Sequence, residues 1–141
     1  MNDAYTTAFF DAVRETQNSS GYELPEHIEA YVVMLLSSYV DKDDFPPEST
    51  VTVQYLSLKD SYQAKDLGDT CLFISGAFPD FKKRHGVTRR FYQDIGSSSY
   101  DMASAMNDTL FPTLAKHFVF LSDFIDLTIN TPKHGLNSLF R

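Results

Sequence analysis

Cysteine is almost missing from this chain of 141 residues: Cys71 stands alone, which excludes an internal disulfide framework and a multi-cysteine zinc site. It sits in Thr70-Cys71-Leu72-Phe73-Ile74, apolar company in which a thiol acts as a small buried hydrophobe and not as a low-pKa nucleophile. Long hydrophobic runs are also lacking. The most apolar stretch, Ala30 to Leu36, is far too short to span a bilayer. Met1-Asn2-Asp3-Ala4-Tyr5 carries no basic segment and leads into no apolar run, so no cleavable leader is expected and a cytoplasmic location is. Positive charge is scarce, with twelve Lys and Arg against nineteen acids and a formal charge of −7. That balance disfavours non-specific attraction to nucleic acid or anionic lipid. No internal repeat, heptad run or low-complexity tract supports a solenoid or coiled coil.

What is present is bulk. Hydrophobic residues make up 43% of the chain, with twelve Phe and eight Tyr. A globule of this length buries roughly two-thirds of its unfolded surface, enough for one domain with one core.

The apolar spacing predicts helices. Tyr5, Phe9 and Val13 recur every four residues, giving an amphipathic helix from near Asp3 that Asn18-Ser19-Ser20-Gly21 stops. Pro25, Glu26 and Glu29 suit an opening turn. Ile28 to Val40 follows, apolar nearly all round and the expected central helix. The acidic Asp41-Lys42-Asp43-Asp44 with Pro46-Pro47 makes the next break. Residues 49–58 alternate like a strand, yet Val51, Tyr55, Leu58 and Tyr62 also fit a helical stripe, and helix is chosen with a strand as the alternative. Gly68 is read as closing that helix and Asp69 as capping the next, which runs to Pro79. A turn at 80–85 is followed by a helix capped by Thr88, with Phe91, Ile95, Met102 and Met106 on one side and Gly96 expected to allow close approach of a neighbour. A last long helix opens at Asp108 or Thr109, with Phe111, Leu114, Phe118, Leu121 and Ile125 inward. The expected fold is therefore all-α, a single-domain bundle of five to six helices around a central apolar helix. Residues 132–141, with Leu136, Leu139 and Phe140, form a flexible or docked tail, with docking on the parent domain favoured over exposure to a partner.

The segment Leu67-Gly68-Asp69-Thr70-Cys71-Leu72-Phe73-Ile74-Ser75-Gly76-Ala77-Phe78-Pro79, with Arg89-Arg90-Phe91-Tyr92-Gln93-Asp94-Ile95-Gly96-Ser97-Ser98-Ser99-Tyr100 after it, resembles a group of uncharacterised bacterial proteins. They share a Gly-Asp, Ser-Gly-x-Phe-Pro and aromatic-Tyr pattern. The resemblance implies a bacterial origin and an all-helical fold, and no activity comes with it.

Familiar chemistries can be argued down. Ser75-Gly76 is half of a nucleophile elbow, but Phe73 and Ala77 stand where glycines are needed. No Gly-Lys-Ser/Thr follows Gly68 or Gly76, so there is no phosphate loop. The acidic 41–44 segment lacks the glycine and distal glutamate of a calcium loop. His27, His85, His117 and His134 are scattered, and His117 is expected to be a hydrogen-bonded core or boundary residue. No metal and no cofactor are expected.

One anomaly remains. Lys82-Lys83-Arg84-His85-Gly86-Val87-Thr88-Arg89-Arg90 holds five of the twelve bases within nine positions, flanked by Phe81, Phe91 and Tyr92. Lys82, Lys83 and Arg84 suit a helix C-terminus. Arg89 and Arg90 would fall in a first turn, where the dipole disfavours cations and free N–H groups attract anions. Either the protein's own acids answer them, for example Asp94 or Asp69, or an external anion does. The expected function is thus a non-catalytic helical adaptor or regulator that binds an acidic or phosphate-bearing partner through Lys82, Lys83, Arg84, Arg89, Arg90 and Tyr92. The alternative is an enzyme or small-ligand binder with a pocket between central helices around Asp69, Ser75, Tyr92 and Asp94. A protein partner is expected, self-association is left open, and neither nucleic acid nor a membrane is expected.

Overall fold

The computed structural model describes residues 3–40, 42, 48–80 and 89–140. Among them are seven α-helices, which we number in chain order: α1 Asp3–Ser20, α2 Glu26–Ser38, α3 Glu48–Leu56, α4 Ser61–Ala77, α5 Arg89–Met102, α6 Leu110–Lys116 and α7 Phe118–Asn130. Short 3-10 turns follow α5 and α7, and no strand occurs among the described residues. The fold is all-α, and residues 49–58 are helix and turn, not strand.

Local signals set several boundaries. Gly21 takes φ +78° and its N–H donates to the Gln17 carbonyl at 3.0 Å, the left-handed closure that glycine permits after a helix. Pro25 sits just before α2, and its carbonyl accepts from Ile28 and Glu29. The Asp60 carboxylate accepts from the Gln63 N–H at 2.8 Å while the Gln63 side chain accepts from the Lys59 N–H at 2.9 Å, a reciprocal cap that starts α4.

That cap corrects the expected boundary at Gly68 and Asp69, both of which lie inside α4. The glycine is there for space, since a Cβ at Gly68 would meet the Tyr100 ring at 2.6 Å. Close approach of α5, not helix termination, is what it permits. α4 is also the central helix, a place expected of α2: it buries eleven of its 17 residues, including every one from Cys71 to Ala77. It packs against α5 on one side and α7 on the other. α2 turns Met34 outward and packs chiefly on α1.

α5 is rotated from its expected setting. Tyr92, Gly96, Ser99 and Tyr100 are its buried residues, whereas Met102 and Met106 are 50% and 37% exposed. The small residues let α5 approach α4 closely, a Cβ on Gly96 colliding with the Phe118 ring and meeting the Cys71 Cβ at 2.8 Å. α5 then ends in a 3-10 turn at Ala103–Ala105, which takes Met106 off its face.

The expected last long helix is two helices, broken at His117. No breaker residue stands there; the jog seats the Phe118 ring over Gly96. Its inward stripe, Phe111, Leu114, Phe118, Leu121 and Ile125, is buried throughout. The tail docks as well: Phe140 is buried, with its ring 5.8 Å from Phe9 and 5.0 Å from Phe73.

Candidate functional site

Arg89 and Arg90 open α5, yet they serve different ends. The last carbonyls of α4 have no partner within their own helix. Arg89 Nε donates to one of them, the Ser75 carbonyl, at 2.7 Å, and Arg89 Nη1 pairs with Asp123 of α7 at 2.8 Å. Asn130 of α7 donates to the Ala77 carbonyl at 3.2 Å. A cation at the first turn of α5 therefore lies at the negative C-terminal end of α4, where the helix dipole favours it. Two of the three Arg89 nitrogens are thus answered inside the protein, while Nη2 is buried without a hydrogen-bond partner among the described residues.

Arg90 is different. Its side chain is 84% exposed and its contact with Asp94, one turn along α5, is 3.6 Å between two exposed groups. Exposed pairs of that kind contribute little, a median of about 0–1 kcal/mol. Lys82, Lys83 and Arg84, with the expected cap Thr88 and the turn at 80–85 apart from Asp80, lie outside the described residues, as does the acidic 41–44 segment apart from Lys42. Tyr92 was grouped with the basic residues as a partner contact, but it is fully buried with Phe91 edge-on at 5.2 Å. Stacking on an external partner is closed to it.

The alternative constellation does not converge. Ser75 is buried and its hydroxyl donates to the Leu72 carbonyl at 3.3 Å. Asp94 is on the surface with Arg90. Asp69 instead anchors a network that the sequence reading missed. Its Oδ1 accepts from the Tyr31 hydroxyl at 2.6 Å and the Tyr100 hydroxyl at 2.7 Å, and its Oδ2 accepts from Lys65 Nζ at 2.8 Å. Burial, followed by the carboxylate's charge, holds the Tyr31 and Tyr100 phenols well above their ordinary pKa. Partial burial works against the Lys65 ammonium, but the hydrogen bond and charge of Asp69 outweigh it and raise its pKa. Next to this network Tyr39 meets Thr70 at 3.0 Å, and burial pushes the Tyr39 phenol up to about 12. The signal available in the sequence was an acid on the edge of the apolar run 67–78, since a buried carboxylate requires donors.

Open grooves among the described residues include the following two. One, of about 320 Å³ between α3 and α4, is lined by Gln54, Ser57, Leu58, Gln63, Asp66, Leu67 and Thr70. The other, about 570 Å³, lies where Arg14 and Gln17 of α1 clasp the buried Glu29 of α2, the Arg14 Nε to Glu29 distance being 3.1 Å. It joins α1, the 21–25 connection and α2. Cys71 is buried, and burial pushes its thiol up to about 12, which keeps it protonated and inert. His117 is exposed at the α6–α7 break and not in the core. Among the described residues no group of three His, Cys, Asp or Glu is placed to hold a metal, and no helix is long and apolar enough to cross a membrane.

Comparison of the chain with protein-family models, with curated proteins and with solved structures returns no match. The functional reading rests on the chain's own residues.

Proposed function

We propose that this chain is a helical adaptor or regulator that binds an acidic or phosphate-bearing partner through the basic segment leading into α5. The observation that carries the reading is the division of labour between the two arginines. Arg89 is fixed to α4 and α7, so the first turn of α5 is a rigid point. Arg90, beside it, is exposed and only weakly engaged. Five of the twelve bases of a chain with charge −7 collect in the nine positions ending there. Such a concentration steers an anionic surface to one place on an otherwise acidic protein.

The test is a titration of the isotope-labelled chain, followed by NMR, with inorganic phosphate in one arm and an acidic glutamate peptide in the other. Shifts should concentrate on Arg89, Arg90 and their neighbours. They should vanish when Arg90 is changed to Glu together with Lys82→Glu, Lys83→Glu and Arg84→Glu. Equal shifts in that variant, or none in the wild type, would refute the reading. The two arms separate phosphate recognition from carboxylate recognition.

The groove between α3 and α4 favours a second reading, a small-ligand binder. Its volume of about 320 Å³ is at the lower end of the range for small-molecule sites, about 300–1,000 Å³. Asp66 and the Gln54 and Gln63 amides would select a polar or cationic ligand. A ligand that raises the melting temperature equally in the wild type and in Asp66→Ala would remove this groove as its site.

A further inference from the structure

All nineteen acids of the chain lie before residue 127, whereas residues 131–141 carry Lys133 and Arg141 and no acid. This basic segment folds back over an acidic body and is attached to it by side chains. Its backbone hydrogen bonds among the described residues are local, from His134 to Thr131, Gly135 to Pro132 and Leu139 to Leu136. Two apolar residues four apart anchor it, since Leu136 and Phe140 are both buried. The Phe140 ring fills a socket between Phe9 of α1, at 5.8 Å, and Phe73 of α4, at 5.0 Å. Tyr39, just past α2, stacks on Phe73 at 4.5 Å and backs the socket. Lys133 adds a 2.7 Å pair with Glu15 of α1, between two exposed groups.

Other features work against this attachment. Gly135 takes φ +63° with open space where a side chain would stand, so the bend of the segment is not packed on the body. His134 Nδ1 lies 2.8 Å from the Thr128 carbonyl, but its Nε2 is buried without a hydrogen-bond partner among the described residues. A polar atom left dry costs stability that a return to water restores. Docking therefore rests on two apolar anchors and an exposed ion pair, set against a dry imidazole nitrogen and the entropy of ordering the segment. Segments held so lightly open without global unfolding.

We propose that the socket between Phe9 and Phe73 is a binding site for a basic protein segment with an aliphatic and an aromatic residue four apart, and that residues 131–140 occupy it in cis as a releasable strap. The chemistry of the occupant is read from the segment seated there. Leu136 and Phe140 show which side chains the socket accepts, and the pair of Lys133 with Glu15 gives the sign of the charge beside them. A partner segment of the same chemistry competes with the strap. Its apparent affinity is the intrinsic affinity reduced by the fraction of molecules in which the strap is released, so the strap sets a threshold for binding. This site is distinct from the basic segment leading into α5, and neither reading depends on the other.

A fluorescent synthetic peptide of residues 131–141, added to the full chain and followed by anisotropy, tests this. Leu136→Ala with Phe140→Ala in the full chain weakens the strap and leaves Phe9, Phe73 and Glu15 intact. That variant should bind the peptide at least about tenfold more tightly than the wild type does. Phe140→Ala in the peptide should abolish binding, and Lys133→Glu in the peptide, which opposes Glu15, should weaken it about threefold at low salt. No binding to the double variant, equal binding to both chains, or binding indifferent to either change in the peptide would overturn the proposal. So would a double variant that has lost its helical circular dichroism, because the two anchors would then belong to the core and not to a strap. A wild type that is dimeric by light scattering, and that the peptide dissociates, would place the segment in the socket of a second copy and overturn its occupation in cis.

Discussion

Asp69→Ala removes one acceptor from three donors at once, and its cost can be worked from the geometry. The Tyr31 and Tyr100 hydroxyls lie 2.6 and 2.7 Å from Oδ1. Hydrogen bonds to a charged group are worth about 1.5–3 kcal/mol each. Tyr100 is fully buried, so its hydroxyl cannot turn to water and bears the whole desolvation penalty, about 1–3 kcal/mol. Tyr31 is only partly buried and recovers some hydration. Lys65, with its side chain 32% exposed, can also reach solvent, so its pair with Asp69 is discounted to the low end of the range for ion pairs. The expected loss is about 3–5 kcal/mol, a large fraction of the ~5–15 kcal/mol that holds a domain together. Asp69→Asn keeps an acceptor for both phenols and should cost about 1–2 kcal/mol. Tyr100→Phe removes a single donor and should cost a similar amount. Urea unfolding followed by far-ultraviolet circular dichroism gives the midpoints, and an unchanged m-value shows that the denatured state is not the cause. The reasoning fails if Asp69→Ala costs under about 1 kcal/mol, or if Asp69→Asn costs as much as Asp69→Ala. Should the alanine variant not fold, the asparagine and Tyr100→Phe variants still decide.

Alkaline pH should act through the same phenols. Tyr31, Tyr39 and Tyr100 have folded pKa values raised above 10, so their stabilisation is complete below pH 10 and is lost as pH climbs above it. For Tyr39 the loss runs from 10 to about 12, at about 1.4 kcal/mol per pH unit. Urea midpoints at about pH 9 and about pH 11 measure the decline, and Tyr39→Phe should lessen it by one phenol's share while Tyr31 and Tyr100 still contribute. Arg89→Ala should cost about 1–2 kcal/mol by freeing the Ser75 carbonyl, more than Asp123→Ala, whose exposed carboxylate is worth under about 1 kcal/mol; equal costs would remove Arg89 as a cap of α4. Gly96→Ala should destabilise by about 1–3 kcal/mol, because overpacking against Phe118 and Cys71 outweighs a helix-propensity gain of about 1 kcal/mol. A more stable Gly96→Ala protein would contradict that contact.

The helices were legible where one signal dominated. Phe9 and Val13 in α1, and Phe111 to Ile125 in α6 and α7, follow helical spacing and are buried accordingly. Signals with two meanings were misread. Gly68 carries no local mark to distinguish a helix end from a close crossing, and Tyr100, distant in sequence, makes it a crossing, whereas Gly96 is the close approach its place inside a helical pattern suggested. The rotation of α5 followed from the same gap: spacing shows an apolar stripe, but buried tyrosines and serines with internal partners can form the inner face instead. Arg89 was legible as a conflict, while its answer was not, since Ser75 and Asp123 lie 14 and 34 residues away. Asp69 was named and misassigned, its donors Tyr31 and Tyr100 coming from two other helices.

The central claim, recognition of an acidic or phosphate-bearing partner through the basic segment, is tested most directly by native mass spectrometry of the chain purified gently from its own cells. The wild type should carry a protein partner, which Arg89→Ala retains if the fold holds. The variant with Lys82, Lys83, Arg84 and Arg90 all changed to Glu should have lost it. A wild type that carries no partner, or a partner that stays bound to the charge-reversed variant, would contradict the account.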